Sequence, residues 1–341
     1  MRRHELLKIA KRRRLDRVFV CNQANVRALT GINCDNAILT TGALYTDFRY
    51  IPMVHRVAPT LKCRDIKNFG KRERGTGKRA MRRIGYESSI PHAMFLEWQK
   101  KFPKAKLVDI SKDLAAIRAV KTPEEIAAIR AAEKLNCEIW ETARGRFRAG
   151  MTERQMARII QKLMIEKGEG EAFDTIVCVG KNAAECHHEP DDTVWDGREP
   201  ILVDMGVKLG GVCSDLTRNI KPKRIGRTYR NIYTLVHKAN LAAIAAAKPG
   251  MTGKALDKVA RDVIKKGGFG KCFGHSLGHG VGYEIHEPPY ASKKGDMVLK
   301  PGMLVTIEPG IYLEDNLGVR IEDLILITET GCEVLSASAS K

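Results

Sequence analysis

Residues 201–219 have the sequence ILVDMGVKLGGVCSDLTRN, and the pattern in this stretch decides the predicted fold. Apolar residues occupy alternate positions from 203 to 207, which is typical of a half-buried strand. Leu209 and Gly210 then form a predicted two-residue turn, because Gly210 tolerates a positive φ. The stretch therefore predicts an antiparallel hairpin whose turn is centred on these two residues.

The predicted hairpin brings two acidic side chains together. With Leu209 and Gly210 in the turn, Asp204 lies directly opposite Asp215. The Cβ atoms of such a pair are roughly 4.5–5.5 Å apart, and two carboxylates at that distance repel each other unless a cation lies between them. The pair therefore indicates either a cation site or two acidic residues at a strand edge that water solvates.

Residues 303–328, MLVTIEPGIYLEDNLGVRIEDLILIT, predict a second hairpin of the same kind. Glu308 and Glu322 are equidistant from Asp315 in the predicted loop, so they are expected to face each other across the two arms. Four carboxylates that converge on one centre would be very costly without a metal ion. Oxygen ligands suit Mn²⁺, Mg²⁺ or Ca²⁺, and a histidine ligand shifts the preference toward Mn²⁺, Zn²⁺, Co²⁺ or Fe²⁺.

An internal repeat indicates how the two hairpins are related. The motif Ala-Gly-Met-Thr at 149–152 recurs as Pro-Gly-Met-Thr at 249–252. Each copy ends a long predicted helix, at 121–148 and 229–248, and begins another helix. A histidine-containing segment and an acidic hairpin follow each copy, so we expect a pseudo-symmetric domain whose sheet curves around a central site.

A boundary between two domains is predicted near Thr122. Thr122, Pro123 and Glu125 occupy the N-cap, N1 and N3 positions of a helix, which is a strong helix-start signal. Strands alternate with helices before this point, which indicates an α/β domain. The predicted domains are therefore residues 1–120 and 121–341.

Composition argues against several classes of protein. No run of about 18 apolar residues is present, so no membrane-spanning helix is expected. The first residues, MRRHELLKIAKRRR, lack the apolar segment of a secretory signal. The nine cysteines are scattered without a Cys-x-x-Cys pair, which favours reduced thiols and a cytoplasmic location over a disulfide framework or a zinc finger.

Positive charge is concentrated in the first predicted domain. The whole chain has a formal net charge of +19, and residues 1–120 hold 27 lysines and arginines against 10 acidic residues. The charge-rich segment 68–83 is predicted to be a loop that leads into a helix. The imbalance indicates either a nucleic-acid-binding face or only a solvated basic surface, and no zinc finger or aromatic RNA-binding motif accompanies it.

A cluster of histidines supplies candidate nitrogen ligands. Residues 274–287 contain His275, His279 and His286, three of the nine histidines in the chain. Glycines on both sides of His279 allow the backbone to approach a compact site closely. His187 lies in the matching segment of the first repeat. A single histidine of this kind is more often structural, but the cluster together with four paired acidic residues indicates function.

These motifs resemble those of the pita-bread metallopeptidases, in the branch of the Xaa-Pro aminopeptidases and prolidases. The resemblance rests on VDMG, CSDLTR, GHGVG, IEPGIY and VRIEDL, and residues 22–50 and 114–132 extend it over nearly the whole chain. It implies an α/β (α+β) fold, in which an N-terminal creatinase-like α/β domain precedes a pseudo-symmetric pita-bread catalytic domain with a curved antiparallel sheet. It also implies a homodimer.

The same resemblance implies a role for individual residues. Two divalent metal ions, with Mn²⁺ preferred over Co²⁺, Zn²⁺ or Fe²⁺, are expected to be bound by Asp204, Asp215, His279, Glu308 and Glu322, of which Asp215 and Glu322 would bridge both ions. The expected catalytic residues are His187, His275, His286 and Glu308. The three histidines and Arg320 are also the expected substrate-binding residues, with Arg320 supporting Glu322. His188 matches only a variable neighbour and is left out of the expected site.

The implied activity is hydrolysis of the N-terminal Xaa-Pro peptide bond by a hydroxide that bridges two metal ions, in peptides with proline at the second position. Xaa-Pro dipeptidase activity at the same site is the nearest alternative. Methionine aminopeptidases share the ligands but lack the first domain, and creatinase-type C–N hydrolases depart from the ligand set. The alternative of a different class is a non-enzymatic binding protein on this fold, with a basic nucleic-acid-binding face.

Overall fold

The computed structural model describes residues 2–71, 81–222, 224 and 226–341. The chain divides into two compact units, Met1–Arg118 and Ala119–Lys341. The predicted loop at 68–83 falls largely at residues 72–80, outside the described part of the chain. Each unit has its own hydrophobic core.

The first unit is built on a mixed sheet. Its helices are α1 (Arg3–Arg13), α2 (Gln23–Thr30), α3 (Ile51–Val57), α4 (His92–Lys101) and α5 (Ser111–Ala119). Its strands are β1 (Arg17–Val20), β2 (Ala37–Thr40), β3 (Leu44–Thr46), β4 (Cys63–Asp65), β5 (Arg83–Tyr86) and β6 (Lys106–Asp109). The strands lie in the order β4-β3-β2-β1-β5-β6, and β1 is antiparallel to β2 but parallel to β5. This arrangement confirms the predicted α/β unit.

An aromatic cluster stabilises part of the core of the first unit. Phe19 on β1 contacts Phe69 and Trp98 edge-to-face, at ring-centroid distances of 5.0 and 5.2 Å. Phe19 and Trp98 are almost completely buried. Edge-to-face pairs of this kind contribute about 0.5–1.5 kcal/mol each beyond the burial of their surface.

The second unit contains the two predicted hairpins. Its helices are α6 (Pro123–Arg144), α7 (Glu153–Lys167), α8 (Arg227–Ala246) and α9 (Gly253–Lys266). The strands of its first half are β7 (Ile176–Val179), β8 (Ile201–Met205), β9 (Lys208–Leu209), β10 (Val212–Cys213) and β11 (Leu216–Ile220). Those of its second half are β12 (Gly278–Gly280), β13 (Glu287–Ala291), β14 (Leu304–Ile307), β15 (Gly310–Leu313), β16 (Leu317–Arg320), β17 (Asp323–Ile327) and β18 (Cys332–Val334). Among the helices of the described residues, none has the length and apolar character needed to span a membrane.

Both predicted helix starts in the first half of this unit are confirmed. Glu125 N donates to Thr122 Oγ1 at 3.2 Å, and Thr122 N donates to Glu125 Oε2 at 2.8 Å. Thr152 and Gln155 form the same reciprocal pair at the start of α7. Each capping box satisfies backbone N–H groups that have no partner within the first helical turn.

Equivalent backbone contacts confirm the internal repeat. Gly150 N donates to Trp195 O at 2.8 Å, and Gly250 N donates to Leu299 O at 2.9 Å. Both glycines have a positive φ, 92° and 84°, a backbone conformation that is strained for most residues other than glycine. Matching isolated bridges join Thr152 to Val194 and Thr252 to Val298. The two halves of the second unit therefore use the same turn to connect a long helix with a shorter one.

The turn of the first hairpin differs from the prediction. Gly210 and Gly211 form it, with φ of 61° and 66°. The two-residue turns that match strand twist best need positive φ at both central positions, and two glycines meet this need more readily than Leu209 and one glycine. Leu209 therefore pairs with Val212 in the ladder.

This shift changes the neighbours of the two acidic residues in the hairpin. Asp204 on β8 lies opposite Thr217 on β11, so the predicted direct pairing of Asp204 with Asp215 is wrong. Asp215 is two residues from Thr217 along the chain, and side chains two residues apart share a face of a strand. Diagonal neighbours of this kind are about 7–8 Å apart, a wider spacing than a direct pair would have.

The predicted register of the second hairpin is confirmed. The β14–β17 and β15–β16 ladders lie on either side of Glu308 and Glu322 and keep one continuous register. The paired residues nearest to the two glutamates are Ile307 with Asp323 and Gly310 with Arg320. Glu308 and Glu322 therefore occupy facing positions at the point where one ladder ends and the next begins.

Gly211 tests the corrected register of the first hairpin. A valine at φ near 66° would be strained, so Gly211→Val should lower the free energy of unfolding by about 1–2 kcal/mol. Gly211→Asn should cost less, because asparagine tolerates this conformation. Thermal and urea unfolding of the two variants provide the comparison. In the register first expected, residue 211 is a strand position, and valine would then be the better tolerated of the two.

Candidate active site

All nine residues expected in the site line one cavity of about 440 Å³ in the second unit. They are Asp204, Asp215, His279, Glu308, Glu322, His187, His275, His286 and Arg320. These residues come from four separate segments of the sequence, and the antiparallel ribbons bring them together. Their shared cavity is an observation, whereas the roles assigned to them remain predictions.

Strand ends and interruptions of the ladders present the four acidic residues to the cavity. Asp204 lies on β8 near its end, and Asp215 immediately precedes β11. Glu308 immediately follows β14, and Glu322 immediately precedes β17. Carboxylates at such positions can turn toward a shared centre without interrupting a regular ladder.

Glycines bring the β12 backbone close to its neighbours, and His279 lies between them. A Cβ atom on Gly278 would lie 1.9 Å from Thr306 O, and one on Gly280 would lie 2.5 Å from Pro288 O. His279 N donates to Thr306 Oγ1 at 3.0 Å. Only glycine fits at these two positions, so the sequence Gly-His-Gly fixes where the imidazole can lie.

The imidazole of His279 lies among the acidic residues. Its Nε2 is 3.3 Å from Glu308 Oε1 and 3.6 Å from Asp215 Oδ2. Its Nδ1 is 3.1 Å from Gly280 O, which can only accept, so Nδ1 carries the proton when the ring is neutral. Burial lowers the pKa of His279, but the hydrogen bond with Glu308 and its charge raise that pKa above its ordinary value, so without a metal ion Nε2 also carries a proton. A metal ion bound beside the carboxylates would take the place of the Nε2 proton, while Gly280 O holds the ring through Nδ1.

Burial and mutual repulsion perturb these carboxyl groups. Burial, and then the charge of Glu322, raise the pKa of Asp215 well above its ordinary range. Burial and the charge of Glu308 raise the pKa of Glu322 in the same way. Burial alone would also raise the pKa of Glu308, but the hydrogen bond and charge of His279 lower it to about 2. Asp215 and Glu322 thus lie where negative charge is costly without additional positive charge.

A hydrogen-bond network that includes Arg320 and Thr217 orients the carboxylates of Asp204 and Glu322. Arg320 Nη2 donates to Asp204 Oδ2 at 2.7 Å, and Arg320 Nε donates to Thr217 Oγ1 at 3.1 Å. Thr217 Oγ1 in turn donates to Glu322 Oε2 at 2.7 Å. Arg320 therefore supports Glu322 through Thr217 and contacts Asp204 directly.

The donor atoms suit a metal ion. Asp215, His279 and Glu322 each offer one potential ligand atom, and these three atoms lie within 4.8 Å of one another. Asp204 Oδ1 is buried and has no hydrogen-bond partner among the described residues, an arrangement that costs free energy unless something else compensates. Carboxylate oxygens with one imidazole nitrogen form a donor set suited to Mn²⁺, Co²⁺, Zn²⁺ or Fe²⁺.

The three remaining histidines surround this cluster. The ring of His286 packs edge-to-face on that of His279, with centroids 4.3 Å apart. His275 Nε2 lies 2.9 Å from Tyr312 OH, and burial lowers the pKa of His275. His187 is exposed to the cavity. These imidazoles can donate to or accept from a polar group placed beside the acidic residues.

Several residues around the site were missed in the sequence. Tyr312 OH accepts from Arg320 Nη1 at 2.8 Å and thereby links the arginine to His275. Glu133 on α6 is completely buried and accepts from Asp215 N at 3.1 Å. Burial, partly offset by that hydrogen bond, raises the pKa of Glu133 to about 8. Tyr312 lies in the quoted IEPGIY motif, which was a usable signal, whereas Glu133 has none.

A twofold-repeated antiparallel domain that gathers acidic residues and histidines in one cavity has the layout of a metal-dependent enzyme. Residues 127–329 match the model of metallopeptidase family M24, and residues 2–120 match the creatinase/prolidase N-terminal domain. The chain therefore belongs to metallopeptidase family M24.

Individual relatives agree with this assignment. The chain is 33% identical over 342 residues to the Xaa-Pro dipeptidase of Pyrococcus horikoshii, in an alignment that covers 97% of this chain and 95% of that protein. It is 45% identical over 188 residues to the Xaa-Pro dipeptidase of Pyrococcus furiosus. That alignment covers 55% of this chain and 54% of the relative, so here the chain spans about half the length of the protein it matches.

Solved structures confirm the expected fold. The prolidase from Pyrococcus furiosus superposes with a TM-score of 0.89 at 34% identity, over 97% of this chain and 98% of that one. The X-Pro aminopeptidase from Thermotoga maritima superposes with a TM-score of 0.85 at 30% identity, over 96% and 97% of the two chains. The creatinase-like first domain and pita-bread second domain are thus both present.

Arg320 provides a test of the network behind the candidate ligands. Lysine has one nitrogen and cannot reach Asp204, Thr217 and Tyr312 together, so Arg320→Lys should weaken Mn²⁺ binding by about 10–100-fold. Calorimetric titration of the metal-free protein measures the change. Arg158→Lys, on the exposed side of α7, is the matched control and should bind as the wild type does. Equal affinity in Arg320→Lys would contradict the supporting role of this arginine.

Proposed function

We propose that this protein hydrolyses the N-terminal Xaa-Pro bond of peptides, as a Xaa-Pro aminopeptidase with two divalent metal ions. Asp204, Asp215, His279, Glu308 and Glu322 are the proposed ligands, and Mn²⁺ is the proposed metal. The observation that carries the proposal is the convergence of these five donor side chains in one cavity, where His279 Nε2 lies 3.3 Å from Glu308 Oε1.

Metal ions in such a site would lower the pKa of a water molecule and polarise the scissile carbonyl group. The residues of the chain would do the remaining work. The cluster of carboxylates would attract the free α-amino group of the peptide, which is positively charged at neutral pH. This attraction selects the N-terminal end of a substrate and places the first peptide bond beside Glu308.

Proton transfer would be the task of Glu308. A general base must lie within hydrogen-bond reach of the group it deprotonates, and the same carboxyl group can return the proton to the leaving nitrogen. The prolyl nitrogen carries no hydrogen in the peptide, so it must gain a proton to leave as an amine. His187 and His286 line the same cavity and would donate hydrogen bonds to the oxygen that becomes negatively charged.

The charge of the cavity favours an aminopeptidase over a dipeptidase. A dipeptide substrate has a carboxylate directly after proline, and that group needs a cationic or strong hydrogen-bonding partner near the site. Among the described residues that line the cavity there is no lysine, and the arginine present is Arg320. Its N–H groups are directed at Asp204, Thr217, Tyr312 and Cys186 O. A longer peptide moves its carboxylate away from this acidic region.

Xaa-Pro dipeptidase activity is the second candidate. The names of the Pyrococcus relatives favour it, and it would use the same ligands and the same histidines. In that case His187, His275 or His286 would have to bind the substrate carboxylate in protonated form. The two candidates differ in substrate length and share the chemistry at the scissile bond.

A homodimer and a cytoplasmic location remain predictions. The nine cysteines are free thiols, in keeping with the expected reducing compartment. Nucleic-acid binding by the basic first unit is also an open prediction. A salt-sensitive mobility shift with random DNA would support it, because phosphate contacts weaken as salt rises, and no shift at low salt would remove it.

Metal removal tests the class of chemistry. Dialysis against a chelator should abolish hydrolysis of Xaa-Pro peptides, and added Mn²⁺ should restore it. Metal binding should also raise the melting temperature, since an ion at 1,000 times its dissociation constant adds about 4 kcal/mol to the free energy of unfolding. Asp215→Asn, which removes a proposed bridging ligand, is the control and should not respond to Mn²⁺ in either assay. Full activity after chelation would contradict a metal-dependent mechanism.

Substrate length separates the two candidate activities. The peptides Met-Pro-Gly and Met-Pro-amide should be hydrolysed with kcat/KM at least roughly tenfold above that of Met-Pro, because only Met-Pro brings an unpaired carboxylate to the acidic cavity. Met-Pro-amide is the matched control, since it has the size of the dipeptide without its charge. A preference for Met-Pro over both would identify a dipeptidase instead.

A further inference from the structure

Glu153, in the first turn of α7, is a buried carboxylate that the site described above does not use. It accepts hydrogen bonds from four donors, one at the end of β7 and three on the loop between β7 and β8. Those to Oε1 come from Val179 N at 2.6 Å and Asn182 Nδ2 at 2.9 Å, and those to Oε2 come from His188 Nε2 at 2.7 Å and Asp191 N at 3.1 Å. One carboxylate therefore fixes the end of β7 and three points of the loop that follows it.

A metal ion is a poor explanation for this cluster. Ligand atoms of Glu153, His188 and Asp191 do lie close enough together to bind an ion. However, an ionised carboxylate has about four acceptor positions, and donors already fill all four on Glu153. The backbone N–H of Asp191 also points at the carboxylate, where it would repel a cation. The arrangement is that of an anchor for the loop.

The anchored loop carries His187. Val179 and Asn182 precede this histidine in the chain, and His188 and Asp191 follow it. The chain segments before and after His187 are thus fixed to the same carboxylate, while the His187 side chain is exposed to the cavity. His188 is adjacent to His187 in the chain, so the position of its ring directly limits the backbone that presents His187.

The charge of His188 matches its surroundings. The residue is 9% exposed, and its ring faces Glu153, Glu185 and Asp191. Burial alone would lower the pKa of His188, but the hydrogen bond and charge of Glu153 raise it above its ordinary value. The folded structure therefore favours the protonated ring, and a charge-assisted hydrogen bond of this kind is stronger than a neutral one.

The second half of the domain contains a corresponding anchor made of different residues. Asp257 and Arg261 on α9 form an ion pair at 2.7 Å. Arg261 Nη2 donates to His275 O at 2.8 Å, and Leu277 N donates to Asp257 Oδ1 at 3.1 Å. In each half, the shorter helix therefore supplies an acidic residue that pairs with a basic one. This acidic residue binds the loop that carries a histidine of the cavity.

We propose that Glu153 and His188 are positioning residues, which fix the loop so that His187 is presented to the substrate. The proposal rests on the function proposed above, in which His187 contacts the peptide. His188 also lines the cavity, but both of its ring nitrogens face the carboxylates of Glu153 and Glu185, so its proposed action on the substrate is through His187. It was left out of the site expected from the sequence, and the structure assigns it a role there.

A double-mutant cycle tests the proposal. His188→Ala should lower kcat on Met-Pro-Gly by about tenfold to a hundredfold with little change in KM, because a misplaced catalytic group costs rate at such magnitudes. His188→Gln keeps an N–H donor for Glu153 and should retain most of the activity. In a His187→Ala background, His188→Ala should have no further effect on kcat.

Controls separate positioning from folding. Metal content and melting temperature are measured for every variant, and His237→Ala, which removes a partly buried histidine outside the cavity, should leave kcat unchanged. If His188→Ala lowers kcat by the same factor with and without His187, its role is structural and the proposal fails. Unchanged kcat in His188→Ala also overturns it.

A spectroscopic readout keeps the test valid if the proposed function is wrong. The ring resonances of His187 can be identified in long-range ¹H–¹⁵N spectra by their loss in His187→Ala. They should move or broaden in His188→Ala but not in His188→Gln or His237→Ala. Should the wild type be inert toward Xaa-Pro peptides, displaced His187 signals would still support the positioning pair, and unmoved signals would refute it.

Discussion

Repulsion among buried carboxylates is the constraint on which the second unit depends. Asp215 and Glu322 are 4% and 2% exposed and share a cavity with Asp204 and Glu308. Arg320 offsets part of this negative charge through Asp204 and Thr217. Buried charges that remain uncompensated are strongly destabilising, and the raised pKa values of Asp215 and Glu322 show that these groups favour protonation when no cation is bound. A bound cation would allow all four carboxylates to stay ionised.

The internal repeat explains how one chain assembles such a site. Each half supplies a long helix, a shorter helix, a histidine loop and an acidic ribbon. Asp204 lies near the end of a strand, and the other three acidic residues lie immediately beside one. Buried apolar residues of a helix and a strand belong to one core in each half, such as Ile160 and Val203 in the first and Leu256 and Val305 in the second. These cores provide the rigid support that closely spaced like charges require.

The sequence predicted some of this geometry and missed the rest for identifiable reasons. The even spacing about Asp315 was enough to place the second hairpin in register, because its two arms have equal lengths. The first hairpin contains adjacent glycines, and its register depended on whether Gly211 belonged to the turn. Thr217, Glu133 and His188 gain their roles from contacts with residues distant in the sequence, which local patterns do not reveal.

The most direct test is anomalous diffraction from crystals of the protein grown with Mn²⁺. The account predicts two manganese peaks in the second unit, bounded by Asp204, Asp215, Glu308 and Glu322, with His279 Nε2 bonded to one of them. Paired ions in hydrolytic sites are about 3.5–4 Å apart. Manganese at other positions, or no peak among the four carboxylates at saturating metal, would contradict the central claim.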